Sequence, residues 1–408
     1  MALMDTFQTV PAAGLQEEAP LSRGLVLLMA ASCGLAVANL YYNQPLLAEI
    51  GRSFRASARS VGMIPMLTQM GYAAGMFLFI PLGDIKERRR LIVALLVAVG
   101  AALLGAAAAP SLIWMYAASL AVGFTTVAPQ MIVPMAAQLA PPAERGKVIG
   151  TVMSGLLIGI LLARTVSGYV GAAIGWRAMY GIAAAMMFGL AYTLRRQLPA
   201  SRSGNRMSYG RLLLSLFELI AGQRTLREAT LIGAFMFGSF SVFWTSLTFW
   251  LEGPQYGYGS DIAGLFGLIG VVGAAAASVI GRLADRVRPY IMVGLMIVAA
   301  VLAFALFRLE GAVLGGLVAG VVLLDLGVQG AQVSNQARIY SLLPEARNRL
   351  NTVYMVGSFL GGALGSTLGS YAWSLWGWNG VCAVGGGMAT AALLVWLGHR
   401  ARPARLAD

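Results

Sequence analysis

PAERGKVIGTVMSGLLIGILLARTVSGYVGAAIGWRAMYGIAAAMM, residues Pro142 to Met187, returns near the end of the chain as PEARNRLNTVYMVGSFLGGALGSTLGSYAWSLWGWNGVCAVGGGM, residues Pro344 to Met388. At a shift of 202 positions, Pro142, Arg145, Met153, Gly155, Gly159, Thr165, Tyr169, Gly175 and Trp176 fall on Pro344, Arg347, Met355, Gly357, Gly361, Thr367, Tyr371, Gly377 and Trp378. A second echo lies upstream: LGDIKERRR at Leu82 to Arg90 matches LADRVRPY at Leu283 to Tyr290 at a shift of 201. A repeat of this length inside a very apolar chain reads as two similar membrane halves facing each other.

Composition supports the membrane. Of 408 residues, 58% are hydrophobic and 11% charged, against about 25% charged in a soluble domain. The net charge of +13 is spread between apolar runs, as loop charges are in membrane proteins, so no nucleic-acid partner is expected. Cys33 and Cys382 both lie inside apolar runs, with neither a disulfide framework nor a zinc spacing. His399 is the single histidine. Without a nucleophile, base or metal cluster an enzyme has little to work with; no Walker-type Gly-Lys-Ser/Thr run supports ATP drive. No metal or cofactor is expected. The apolar stretch after Arg23 lacks a small-residue cleavage site and reads as a first helix, not a signal peptide.

Apolar stretches near the ~20 residues that cross a bilayer fall at 24–47, 59–82, 91–109, 111–139, 148–173, 176–196, 229–252, 261–284, 290–308, 312–340, 350–374 and 378–398. Because lipid offers no partner to a free amide, these must be helices. The expected fold is an all-α membrane protein. Twelve spans form two six-helix pseudo-symmetric halves around a central cavity: 1–198, then an arginine-rich linker 199–228, then 229–408. With loops assigned alternately, one side collects 23 of the 29 Lys and Arg. The positive-inside rule puts that side, both termini and the linker in the cytoplasm, with the chain in a bacterial-type inner membrane. Arg195 to Glu228 carries seven arginines; its first part reads as flexible and Leu212 to Ile220 as a short interfacial helix.

The loop after the second span carries recognisable residues. Gly281, Leu283, Ala284, Asp285 and Arg286, echoed by Leu82, Asp84, Arg88 and Arg89, match the signature Gly-x-Leu-Ala-Asp-Arg-x-Gly-Arg-Arg. The chain thereby resembles the major facilitator superfamily, in its twelve-span drug/metabolite:proton antiporter-like branch. ANLYYNQPLL at Ala38 to Leu47 resembles a subgroup of bacterial efflux-type carriers. The first copy departs from the signature at Ile80, Ile85 and Glu87. The fourth-span run LAVGFTTVAPQMIVPMAAQ has no arginine, and the fifth span has Gly155, Gly159 and Arg164 in place of a Gly-Pro. The resemblance implies that Asp84, Arg88, Arg89, Gly281, Asp285 and Arg286 form a cytoplasmic gate latching the halves in one state.

It also implies that spans one, four, seven and ten surround the cavity. In the tenth, Asp325, Gln329, Gln332 and Gln336 recur at i, i+4, i+7 and i+11, one helical stripe. The fourth offers Gln130, which meets Gln332 at the 202 shift. The first offers Asn39, Tyr42 and Asn43; the seventh offers Phe237, Ser241 and Trp244. A lining of amides, hydroxyls and rings suits a neutral or amphipathic solute. Glycines spaced by four, Gly155 and Gly159, then Gly357, Gly361, Gly365 and Gly369, let helices approach closely. Two charges lie deep, Arg164 roughly 13 Å and Asp325 roughly 20 Å from the outer helix ends at about 1.5 Å per residue. Such charges cost roughly 2.5–3.5 kcal/mol and mark function, so Asp325 is the first proton-coupling candidate, with Arg164 beside it and Glu252 as the second. The expected activity is secondary transport of a small organic solute, by proton-coupled efflux of a drug, sugar or siderophore-like metabolite, from a monomer. Proton-coupled uptake or uniport is the alternative.

Overall fold

The computed structural model describes residues 22–141, 144–200, 207–270, 288–343 and 346–400, and every regular element among them is a helix. The first part of the chain forms α1 (Arg23–Ala38), α2 (Asn43–Phe54), the single turn α3 (Ala58–Val61), α4 (Met63–Gly83), α5 (Arg88–Ala107), α6 (Leu112–Thr125), α7 (Ala128–Leu139), α8 (Arg145–Ile174) and α9 (Trp176–Gln197). The linker holds α10 (Tyr209–Gly222). Then follow α11 (Arg224–Glu252), α12 (Ser260–Gly270), α13 (Pro289–Glu310), α14 (Leu314–Tyr340) and α15 (Arg347–Arg400).

Nine stretches among the described residues are long and apolar enough to cross a membrane, where the sequence predicts twelve. Three features account for the difference. The α9 helix carries Arg177, Arg195 and Arg196 at its ends, which lowers its mean hydropathy. The described part of α12 stops at Gly270, so the rest of the 261–284 span, with Gly281, Asp285 and Arg286 of the expected gate, lies outside the described residues. The α15 helix runs through both the eleventh and the twelfth expected spans, bent at Gly377 where φ is 56°. Gly377 is the repeat partner of Gly175, which has φ 87° between α8 and α9. The copies thus share a left-handed hinge that only glycine adopts cheaply, each followed by a tryptophan. Within the expected 199–228 segment, α10 is longer than Leu212–Ile220 and α11 already begins at Arg224; residues 201–206, in the part expected to be flexible, lie outside the described residues.

Two expected spans are broken at mid-length. Between α1 and α2, the amides of Asn39, Leu40 and Tyr41 bond three residues back, at 3.3, 3.1 and 2.9 Å. Pro45, which has no amide proton, sits in the first turn of α2. Between α6 and α7 the turn at Thr126–Val127 precedes Pro129. Residues 39–42 and 126–127 are all buried, as irregular backbone at membrane depth must be.

One core cluster is drawn from Val26 to Leu198 with Phe359 added, a second from Ile232 to Ala392. Within each part, close packing relies on glycine. A Cβ on Gly159 would meet the Gly34 backbone, and one on Gly361 the Ala234 carbonyl. Outward, Ile113, Tyr169, Leu302 and Leu394 are more than half exposed, the apolar belt a bilayer requires. A third cluster lies where α10 packs Leu216 under α11 and α15, with Phe77 of α4; this end, carrying the linker and Asp84, is the linker end, and its opposite the far end.

Two matched substitutions separate backbone propensity from packing. Nothing lies within 4 Å of a Cβ at Gly181, so Gly181→Ala is expected to stabilise by about 0.5–1 kcal/mol through lower chain entropy. Gly361→Ala is expected to destabilise by about 1–3 kcal/mol through overpacking. Thermal unfolding of the purified protein in detergent reads both.

Candidate functional site

Four helices bring the deep charges together. Arg164 on α8 is 2% exposed, and its Nε donates to Gln44 Oε1 on α2 at 2.6 Å. Its guanidinium lies 4.0 Å from the ring centre of Trp244 on α11, 4.8 Å from Tyr41 and 5.5 Å from Phe240. Such cation–π contacts gain strength when desolvated. Its Nη2 is buried without a hydrogen-bond partner among the described residues. On α14, Asp325 is 4% exposed and its Oδ1 accepts from Trp244 Nε1 at 3.4 Å. The other carboxylate oxygen faces Gly270 of α12, where a Cβ would collide with it. No direct ion pair joins Arg164 to Asp325 among the described residues. One indole serves both, its face towards the cation and its N–H towards the anion.

Beside this core runs a neutral seam between the two parts of the chain. Gln69 of α4 donates from Nε2 to Ser366 Oγ of α15 at 3.1 Å, and its Oε1 accepts from Ser241 of α11 at 3.3 Å. Thr245 donates to the same Ser366 at 3.0 Å. Aromatic rings continue it: Phe359 stands 4.6 Å from Tyr72 and 4.7 Å from Phe237, and Phe237 stacks on Phe240 at 5.5 Å.

The residues expected to line a cavity are distributed unevenly. Trp244, Ser241 and Phe237 belong to the core and seam just described. Gln130 donates to Tyr72 Oη at 3.0 Å, next to Phe359. Asn39 donates to Met187 Sδ at 3.3 Å and Asn43 to Thr68 at 3.3 Å, within the first part of the chain, while the Oδ1 of each is buried without a partner among the described residues. Tyr42 is buried. The stripe on α14 divides: Asp325 joins Trp244, Gln332 lines a small pocket with Phe237, Asn335 and Tyr354, and Gln336 donates to Asn351 of α15 at 3.1 Å. Gln329 is half-buried between them. Sequence reading missed Tyr41, Gln44, Gln69 and Phe240. The 39–42 break rotates α2 against α1, so a single wheel through the span points Tyr41 and Gln44 the wrong way. Gln69 had one available signal, a lone amide in an apolar span.

Each end carries polar closure. At the far end Glu252 pairs with Arg52, Ser260 donates to Glu49 at 2.5 Å, Thr248 donates to the Pro45 carbonyl at 3.3 Å and Thr165 to the Gly264 carbonyl at 3.0 Å. Glu252 is therefore placed in a bridge between α2 and α11. At the linker end Arg88 is buried and donates to Asp84 at 3.1 Å, to Gln138 at 2.6 Å and to the Gly83 carbonyl at 3.0 Å. Arg89 donates to the Leu198 carbonyl at 3.2 Å. Asp84 shares a small pocket with Asn348 and Arg349 in the first turn of α15 and with Leu212 and Leu216 of α10. Arg338 Nη2 donates to both carboxylate oxygens of Glu228 at 3.1 Å, with its guanidinium against Tyr290, a bridge that sequence reading did not single out.

Residues 26–330 match the family model of the Major Facilitator Superfamily. The chain belongs to that superfamily. It is a multi-pass membrane transporter of a small solute, not an enzyme. As a superfamily member it is 42% identical over 376 residues to the uncharacterized transporter YgaY of Escherichia coli (strain K12), covering 92% of this chain and 95% of that one. It is 36% identical over 379 residues to the transporter SCO4007 of Streptomyces coelicolor, covering 93% and 87%. Two solved transporters share the fold. The nucleoside transporter NupG aligns with a TM-score of 0.72 at 16% identity, over 92% of this chain and 98% of that one. A bacterial homolog of the human lysosomal transporter Spinster, inward-facing and unoccupied, aligns at 0.68 and 15%, over 95% and 96%.

Gln69→Ala removes the bond to Ser366 and leaves Ser241 without its acceptor. It is expected to cost about 1–3 kcal/mol, read as a lower unfolding temperature in detergent. Burial pushes the Asp84 carboxyl above its ordinary value, against the pull of Arg88 and Arg349. A raised folded value means that the folded state holds the proton more tightly. The stability Asp84 contributes is therefore complete below the ordinary carboxylate range and is lost as pH rises through the raised value. Relative to Asp84→Asn, the unsubstituted protein is expected to lose ground across that rise, and melts of both proteins at a series of acidic pH values check the sign.

Proposed function

We propose that this transporter is a proton-coupled secondary carrier that exports a small organic solute by alternating access, with Asp325 as the proton site. The supporting observation is the placement of Arg164 and Asp325: opposite charges, both buried, on α8 and α14, each in contact with Trp244 and joined by no direct ion pair among the described residues. Buried charges left unpaired are costly and are retained in membranes where ions or substrates pass. Protonation of Asp325 changes the charge of this core by one unit and biases which packing of the bundle is favoured.

The same reading puts the termini and α10 on the cytoplasmic side of a bacterial inner membrane, since that end holds most of the arginines. The contacts of Arg52, Glu49, Thr248 and Thr165 then close the outward path, and Asp84, Arg88 and Arg89 belong to the inner gate. Export follows from the likeness of ANLYYNQPLL to efflux-type carriers. The protein works as a monomer, its two halves moving about the core.

The test is transport in proteoliposomes under an imposed proton gradient. Asp325→Asn is expected to abolish the gradient's contribution to flux, while solute exchange without a gradient persists. Full gradient-driven flux in Asp325→Asn sinks the proton role. Flux that accumulates solute only on the cytoplasmic side establishes uptake instead of export.

A further inference from the structure

We infer that the transported solute is amphoteric, carrying a carboxylate that binds Arg164 and an ammonium that binds Asp325 on an apolar, aromatic-compatible scaffold. The inference rests on the carrier reading above and names the solute class for the same site.

Three observations carry it. First, Arg164 Nη2 is buried with no acceptor among the described residues, although its Nε has a strong bond to Gln44. A buried donor without a partner loses its full desolvation energy, and a carboxylate is the acceptor that suits a guanidinium best. Second, the bond to Asp325 from Trp244, at 3.4 Å, is long, so a second donor has reason to bind there. Third, the two charges belong to helices from opposite parts of the chain and are spaced by an indole that contacts both. Both charges are thereby held against one ring, with no direct ion pair between them among the described residues.

Charge balance narrows the ligand. By themselves Arg164, positive, and Asp325, negative, make a neutral core. A neutral solute leaves Nη2 to a weaker acceptor. A simple anion satisfies Arg164 and makes the core negative. A simple cation satisfies Asp325 but adds a second positive charge beside Arg164. An amphoteric solute satisfies both groups and keeps the core neutral, which a low-dielectric site favours. Tyr41 and Phe240 present apolar ring surface to the guanidinium, and Phe237 extends it by stacking on Phe240.

The same balance accounts for exchange. Among the described residues, the ionised group acting on Asp325 is Arg164 of α8, with Tyr41 behind it; α11 contributes the uncharged Trp244 and α12 the side-chain-free Gly270. The solute's ammonium and a proton then compete for one carboxylate, as antiport requires. The solute-loaded core is neutral and the protonated core carries one positive charge, so the return step follows an inside-negative potential.

Matched probes test this on the purified full-length protein: L-phenylalanine, N-acetyl-L-phenylalanine, which lacks the ammonium, and L-phenylalanine methyl ester, which lacks the carboxylate. Ligand-induced shifts in unfolding temperature give the affinities. The free amino acid is expected to bind about tenfold to a hundredfold more tightly than either blocked form, the worth of one charge-assisted contact. Arg164→Gln is expected to bind the ester as well as the free amino acid, Asp325→Asn to bind the N-acetyl form as well, and Arg164→Lys to keep the preference for a free carboxylate. A merely structural role would weaken all three probes alike. That result, equal binding of the three by the unsubstituted protein, or binding of none, overturns the inference. Loss of gradient-driven flux in Asp325→Asn alongside any of these leaves the carrier reading standing and removes only the solute class.

Discussion

A peptide amide inside a bilayer finds no water, and every other feature of this protein accommodates that fact. The spans close their hydrogen bonds within themselves and turn apolar side chains outwards. With lipid outside as oily as leucine inside, helices gain little from hiding apolar surface and must instead approach closely. Hence the contact of Gly159 with Gly34 and of Gly361 with Ala234. The backbone departs from this regularity at 39–42 and 126–127, where protein covers it, and at the paired hinges Gly175 and Gly377.

The duplicated frame makes its asymmetries informative. Ser366 occupies the repeat position of Arg164, and at the shift of 201 Gly270 occupies that of Gln69. One inter-helix seam is thus closed by a satisfied amide–hydroxyl network of Gln69, Ser366, Ser241 and Thr245. Its counterpart carries a guanidinium with an idle donor and a carboxylate lying in the space that Gly270 leaves. Neutral groups that satisfy one another hold a seam together. On the function proposed above, the two charges keep the other seam responsive to an arriving ion or solute.

Most of the frame was legible in the primary sequence, because hydropathy and lipid thickness leave little choice. Most helix ends fall within a few residues of their expected places where they are described, although α2 runs on to Phe54 where the first span was expected to end at 47, and the two deep charges stand out in any reading. The count of spans was harder to meet: arginines at the ends of α9 and a continuous helix through Gly377 blur boundaries that composition draws sharply. The site was half legible. Trp244, Ser241, Phe237, Gln130 and Asp325 were marked by type and period. Asn39 and Asn43 were marked too, yet they bond to Met187 and Thr68 within their own part of the chain. Tyr41, Gln44 and Gln69 were not marked, since their roles depend on a helix break and on a neighbour about 300 residues away.

The sequence alone determined that the chain crosses a membrane many times, that its halves repeat, and that one cation and one anion lie deep without twins. These follow from local properties: apolar run length, residue identity and period. Tertiary structure alone decided that Arg164 and Asp325 share Trp244 without a direct ion pair among the described residues, that Gln69 spans the seam, and that Glu252 is engaged by Arg52. The reason is physical. Whether two buried charges neutralise one another is set by the packing of four helices to within an ångström, and no residue's identity or spacing encodes that distance.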